Sequence, residues 1–253
     1  MPNDSSVKIK ILAKTVAVLR AISLGKSRLS DITRDVKLSK NQVFRILVSL
    51  RDEGIVVQDP VTRGYFMGPL LFEITMNPLK THESLINAAY LEMDNLKEIT
   101  GETISLDIKF GMEKITLRQV IGTHNLTYIG RNNPVAHLWI GSVSKVLLAQ
   151  LDEQEIDSLL ENVALSPTAP TSITEKEAFK QQIREVQKQG YATSFSEIDI
   201  GVGSVATPIA GYIVPAALTI IGAEDRMTSR LDEYIEKLRY SAGVISRKLM
   251  SSR

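Results

Sequence analysis

Apolar residues recur at helical spacing several times in the first fifty residues. Ile11, Val18, Leu19 and Ile22, with alanines between, make one face of a helix, and Gly25 supplies a C-terminal stop tolerant of positive φ. Ser30 is placed to cap a short second helix whose Ile32 and Val36 lie one turn apart. After the brief connection "KLS", "LSKNQVFRILVSLRDEG" carries a complete set of helix signals. Ser39 and Gln42 spell the S-x-x-Q capping box, Leu38 and Val43 fit a hydrophobic staple, and Val43, Ile46, Leu47 and Leu50 form an i, i+3, i+4, i+7 stripe before Gly54. The pattern then changes period. Ile55–Val57 and Tyr65–Met67 read as strands about the turn residues Asp59-Pro60 and Arg63-Gly64. Residues 1–68 therefore predict three helices and a hairpin, a winged helix-turn-helix.

Gly68-Pro69 opens a further helical stretch, with Pro in its favoured first-turn position, and Asn77-Pro78 interrupts it. We place a linker helix at 69–80 and a second domain at 81–253. That domain starts with a long helix from His82 to Thr100, with Leu85, Ala89, Met93 and Leu96 on one face. Segments 103–110 and 114–122 alternate as antiparallel strands around Gly111, and "NLTYIG" predicts a third. A helix at 140–150 follows. Asp152 to Glu155 and Thr174 to Glu177 are start signals for two more, the second ending at Gly190. "GSVATPIAGYIVPAALTII" reads as two strands about a short Ala210-Gly211 turn, and a helix from Thr228 closes the chain. "LSPTAPTS" reads as a surface connection. Strands flanked by long helices make an α+β fold with an antiparallel sheet.

Charge separates the two parts. Residues 1–68 hold twelve basic and six acidic side chains, a net +6, whereas the remainder carries −5. A polyanion partner is thereby expected for the first part only. The chain of 253 residues has no cysteine, which excludes disulfides and thiolate metal sites, and its histidines (His82, His124, His137) are too scattered for a metal site. No apolar run approaches the roughly 20 residues of a membrane span, and the N-terminus lacks a secretory pattern, so a cytoplasmic protein without membrane contact is expected.

Base edges in the major groove are read by Arg, Lys, Asn and Gln from the start of a helix-turn-helix's second helix. Lys40, Asn41, Gln42 and Arg45 lie there, off the core stripe. Gln42 ranks below Asn41 and Arg45 because the capping box engages it. Arg63 at the wing tip suits backbone or minor groove, and Ser30, Lys37 and Ser39 suit phosphates. An ordinary solvated helix face would also be polar, but it explains neither the wing nor the charge split. Enzyme signals are weak. "GVGSVA" (201–206) matches G-x-G-x-x-A, yet Pro208 and a β-rich run follow where a helix would have to stand. No G-x-S-x-G, H-E-x-x-H or P-loop occurs. Asp107, Glu197 and Asp199 show no spacing that demands acid–base work, and neither an enzyme nor a bound cofactor is expected.

"ILAKTVAVLRAI", "LSDITRDVKLSKNQVFRILVSLRDEGIV", "GYFMGPLLFEI", "SKVLLAQL", "EVQKQGYATSFSEIDIGVGSVATPI" and "AALTIIG" follow one another in an order that resembles the IclR family of transcriptional regulators. The resemblance implies a winged helix-turn-helix joined by a linker helix to a GAF-like α/β effector domain. It further implies homodimers, often paired into homotetramers, a double-stranded DNA operator, and control by a small organic effector such as a carboxylic acid. Carried over by position, the family's pocket points to Ser142 and Val143 at a helix start, to Ser204 and Thr219 on strands, to Asp199 nearby, and to Leu126 and Trp139 as apolar wall. The sequence departs from the family where Ser144-Lys145 replaces Gly-Lys and where Trp139 stands near a customary His. The competing expectation is a GAF-like sensor or enzyme whose winged helix serves protein contacts.

Overall fold

A computed structural model describes residues 9–71, 73, 74, 81–129, 135–161 and 163–251. The chain folds as two compact units, Met1–Thr81 and His82–Arg253. The first contains α1 (Lys10–Ser23), α2 (Leu29–Val36), α3 (Lys40–Asp52) and a hairpin of β1 (Val56–Gln58) and β2 (Tyr65–Met67). Val18, Ile22, Ile32, Val43, Leu47, Val56 and Tyr65 meet in one core, so every element contributes apolar positions to it. Gly25 (φ 87°) turns the chain out of α1, and its N–H donates to the carbonyl of Ile22 at 2.9 Å. Ser30 does not cap α2. Arg28 occupies the N-cap without a side-chain bond, because Leu29 is drawn into the helix to pack on the core, and Ser30 falls inside the first turn. Pro69 opens a helical turn through Leu71, but residues 75–80, with the expected interruption at Asn77-Pro78, lie outside the described residues.

The second unit is α4 (Glu83–Thr100), β3 (Thr103–Phe110), β4 (Glu113–Val120), β5 (Val135–His137), α5 (Gly141–Leu148), α6 (Glu153–Glu161), α7 (Lys176–Gln189), β6 (Ala192–Phe195), β7 (Val202–Ile209), β8 (Ala216–Ala223), α8 (Glu224–Ser229) and α9 (Leu231–Ser251). Among the described residues, six strands form one antiparallel sheet in the order β5-β4-β3-β8-β7-β6. Side chains alternate between faces along each strand. Ile104, Leu106, Ile108, Val205, Leu218 and Ile220 point to one face, which packs on Met93 and Leu96 of α4 and on Leu238 and Ile245 of α9. The opposite face is covered by α5, whose Val143, Val146 and Leu147 share a second core with Phe179 and Ile183 of α7 and with Ala192, Ala206 and Ala217 of the sheet.

Several sequence expectations change here. Residues 125–129 are not a strand. Side chains hold that segment's carbonyls instead: Arg226 donates to Leu126 O at 2.9 Å and Thr103 donates to Tyr128 O at 2.8 Å. The sheet edge is β5, paired with β4. Asp152 and Glu155 do form a reciprocal cap for α6, but Thr174 caps nothing. Helix α7 starts after Glu175, one residue beyond where a Thr174 cap would set it, without a side-chain bond. The β7–β8 connection runs from 210 to 215, longer than an Ala210-Gly211 turn, and its Tyr212 hydroxyl lies 2.7 Å from His82 Nδ1. The closing helix begins at Glu224 and breaks at Arg230, because Met227 of α8 is buried against β7 while α9 packs on α4. "LSPTAPTS" is a surface connection with fixed partners: Thr168, Thr171 and Ser172 donate hydroxyl hydrogen bonds to carbonyls of Ser196 and Glu197, just past the edge strand β6. That covering blunts an otherwise open edge.

Candidate nucleic-acid interface and effector pocket

The start of α3 is built by its capping box. Ser39 Oγ accepts the Gln42 N–H at 3.3 Å, and Gln42 Oε1 accepts the Ser39 N–H at 3.4 Å. This reciprocal bond folds the Gln42 side chain back onto the cap. Lys40, Asn41 and Arg45 stand exposed beside it, and the core stripe on the other side is buried. Lys37 ends α2 in the left-handed region (φ 52°), a conformation that favours glycine, and the three residues 37–39 complete the tight turn between the two helices. The fold therefore gathers Lys37, Ser39, Lys40, Asn41, Gln42 and Arg45 at one helix end. Ser30 is exposed in the first turn of α2, and Arg63 sits separately at the wing. There, Asp59 Oδ1 accepts the N–H groups of Val61 and Thr62 and the Thr62 hydroxyl, which together hold the Asp59 carboxyl below its ordinary pKa. That turn sets Arg63 at φ 59° with an exposed side chain. The sequence reading passed over Phe44 and Val48, which share the outward face of α3. Their spacing from Asn41 was the available signal.

The second candidate site lies between α5 and the polar face of the sheet. Ser105 faces Thr219, Asp107 faces Ala217 and Ser194 faces Ser204 across paired strands, and all of these are buried. Ser142 Oγ, in the first turn of α5, is 2.8 Å from Ser204 Oγ. Thr219 is 0% exposed and its Oγ1 has no hydrogen-bond partner among the described residues. Around this centre the polar groups are tied down. Asp107 accepts the hydroxyls of Ser105 and Thr116, both at 2.6 Å. Lys114 Nζ donates to Ile140 O at 2.8 Å and to Ser144 Oγ at 3.1 Å, which fixes the start of α5. Burial pushes Lys114 down to about 8, opposed by the charges of Asp107 and Glu197. Burial raises Asp107, opposed by its two hydroxyl donors. Further along α5, Lys145 pairs with Glu197 at 2.6 Å and donates to Thr193 O at 3.1 Å. That pair borders a cavity of about 310 Å³ shared with α7 and β6.

Of the residues expected from sequence, Ser142, Val143, Ser204 and Thr219 come together between α5 and the sheet. Trp139 is half-buried just before α5, packs against that core, and stacks on His137 with ring centroids 4.3 Å apart. Asp199 lies in the 196–201 loop. Ile198 of that loop approaches the start of α5 so closely that a side chain on Gly141 (φ 80°) would meet it at 2.7 Å. Leu126 is 72% exposed, and its carbonyl accepts from Arg226 at 2.9 Å. Ser105, Lys114 and Thr116 were not anticipated. The alternation of polar residues along β3 does not say whether its polar face meets solvent or protein, and only the α5 layer makes that face interior.

The chain has recognisable relatives. Residues 11–60 match the IclR helix-turn-helix domain, and residues 79–247 match the bacterial transcriptional regulator IclR C-terminal domain. The HTH-type transcriptional regulator KdgR of Escherichia coli is 29% identical over 250 residues, covering 95% of this chain and 93% of KdgR. The crystal structure of Thermotoga maritima IclR superposes with a TM-score of 0.75 at 26% identity, over 96% of this chain and 99% of that one. An IclR homologue from Microbacterium hydrocarbonoxydans, solved with 4-hydroxybenzoate, shares the fold with a TM-score of 0.77 at 21% identity, over 95% of this chain and 99% of that one. With both family domains matched in order across the winged helix and the sheet unit, the chain belongs to the IclR family of DNA-binding transcriptional regulators.

Proposed function

We propose that this regulator reads a palindromic operator through α3 as a homodimer, paired into a homotetramer, and that a small carboxylic acid bound at α5 shifts its affinity for DNA. The observation that carries the reading is the capped start of α3, where Lys40, Asn41 and Arg45 are exposed at the positive end of the helix. Asn41 and Arg45 read base edges. Ser30, Lys37, Ser39 and Lys40 hold phosphates, Gln42 serves chiefly as cap, and Arg63 touches the backbone or minor groove. The effector sits against Ser142, Val143, Ser204 and Thr219, with Trp139 as apolar wall and Asp199 at the rim. Helix-start N–H groups and hydroxyls suit a carboxylate, and the relative that holds 4-hydroxybenzoate contains an acid of that class. The protein works in the cytoplasm, without a cofactor and without catalysis. Its effector acts by favouring one of two arrangements of the DNA-binding heads.

Capture of genomic fragments by the purified protein, followed by salt titration on the fragment obtained, tests this. Steep loss of affinity with salt, together with preference for one sequence, supports the regulator. Arg45→Ala is expected to cost ~1–3 kcal/mol on that fragment, and Arg63→Ala to weaken all sequences evenly. Absence of DNA binding at low salt favours a sensor or enzyme whose winged helix contacts protein. Equal binding by wild type and Arg45→Ala removes Arg45 from the interface.

A further inference from the structure

The outward face of α3 is not uniformly polar. At 3.6 residues per turn, Asn41, Phe44, Arg45 and Val48 (positions i, i+3, i+4 and i+7) fall within about 100° of one another. They lie opposite the buried Val43, Ile46, Leu47 and Leu50. Phe44 keeps 49% of its surface exposed there, and Val48 is half-buried beside it. A large aromatic side chain left in water between two polar readers gains nothing for folding, since turning it to the core would bury apolar area. In the major groove it has one match. The thymine 5-methyl is the only apolar group that base edges present there, and phenylalanine is among the side chains that contact it.

We infer that Phe44 is a specificity residue that reads a thymine methyl next to the bases read by Asn41 and Arg45. The inference rests on the proposed entry of α3 into the major groove. The basic flank argues for this occupant over a protein partner: Lys40 and Arg45 border Phe44 on a unit of net charge +6, whose counterpart is a polyanion. Exposed apolar residues elsewhere on the unit, such as Leu12 and Val16, lie on α1 and not on the recognition helix, and they stay outside the proposal.

The test uses the captured operator fragment with each thymine replaced in turn by deoxyuridine, which deletes only the methyl. Wild type is expected to lose about four-fold in affinity at one position per half-site, the change that follows from one buried methyl group. Phe44→Ala is expected to bind the thymine and uracil forms equally at that position, and Phe44→Leu to keep the discrimination. Thermal unfolding of each variant verifies that α3 remains folded. Two results overturn the inference while leaving groove entry intact: sequence-specific wild-type binding that is indifferent to every uracil, or discrimination that persists unchanged in Phe44→Ala. Loss of all sequence preference in the wild type overturns groove entry, and this inference with it.

Discussion

Thr219 gives the sharpest test of where the effector binds. It lies on β8, a strand flanked on both sides by others, opposite Ser105 on β3 and Ala206 on β7. Ser105 commits its own proton to Asp107, and Thr219 Oγ1 has no partner among the described residues. A buried hydroxyl without a partner costs about 1–3 kcal/mol. Valine has the same shape without that group, so Thr219→Val is expected to stabilise the ligand-free protein by about that amount. For a unit of this size each kcal/mol raises Tm by roughly 2–4 °C, which puts the expected rise at about 2–12 °C. Trp139 is the only tryptophan in the sequence and belongs to this unit, so its fluorescence during thermal unfolding of the full chain follows the right transition. The same substitution removes a donor from the proposed site. It is therefore expected to reduce the Tm shift produced by those small carboxylic acids, 4-hydroxybenzoate included in the panel, that stabilise wild type. A fall in stability of about 0.5–1.5 kcal/mol would mean that the hydroxyl is already satisfied. Together with an unchanged ligand shift, that result refutes the argument.

Other parts of the structure yield expectations of different kinds. Arg226→Ala leaves Glu102, which is fully buried, with only His124 at 3.6 Å as an ion-pair partner among the described residues. Chemical denaturation is expected to show a loss of about 3 kcal/mol, at the lower end for a broken buried pair because Arg226 itself keeps some hydration. Lys114 titrates near 8 in the folded protein and near 10.5 when unfolded, so between those values the unfolded chain binds the extra proton and stability rises with pH. Unfolding free energies at pH 7 and pH 9 are expected to show a larger gain for wild type than for Lys114→Met, and equal gains would count against the burial of that ammonium. Ser39→Ala deletes one half of the capping box and is expected to cost about 1 kcal/mol in the first unit, read by urea denaturation.

The DNA-binding unit was largely readable from sequence because its signals are local. Ser39 and Gln42 are three residues apart, and their bond fixes where α3 begins without reference to anything distant. The core stripe then assigns a side to each neighbour, which is why the secondary rank of Gln42 follows from the sequence alone. The misreading of Ser30 has the same physics with a different winner. A capping preference worth about 1 kcal/mol yields when moving the boundary lets a neighbour such as Leu29 join the core. Phe44 is not legible for another reason: it offers no hydrogen bond to a base edge, and an aromatic residue at helical spacing is ordinarily core.

The effector unit was readable in its elements but not in its centre, because the centre exists only through pairing between strands far apart in sequence. "TISLDIKF" alternates polar and apolar residues, and such a strand suits either a solvated sheet face or a polar interior one. Nothing within those eight residues separates the two. The decision comes from Ser142, Ser144 and Lys145 of α5, which lie across that face and bond to Ser204, Lys114 and Glu197. Once α5 is in place, Ser105 and Asp107 cannot be hydrated from that side, and each must find a partner within the protein. Both do. Thr219 sits in the same layer under the same constraint and, among the described residues, finds none, as does Trp139 Nε1 just before α5; in the proposed site these are the groups that a ligand oxygen is expected to satisfy.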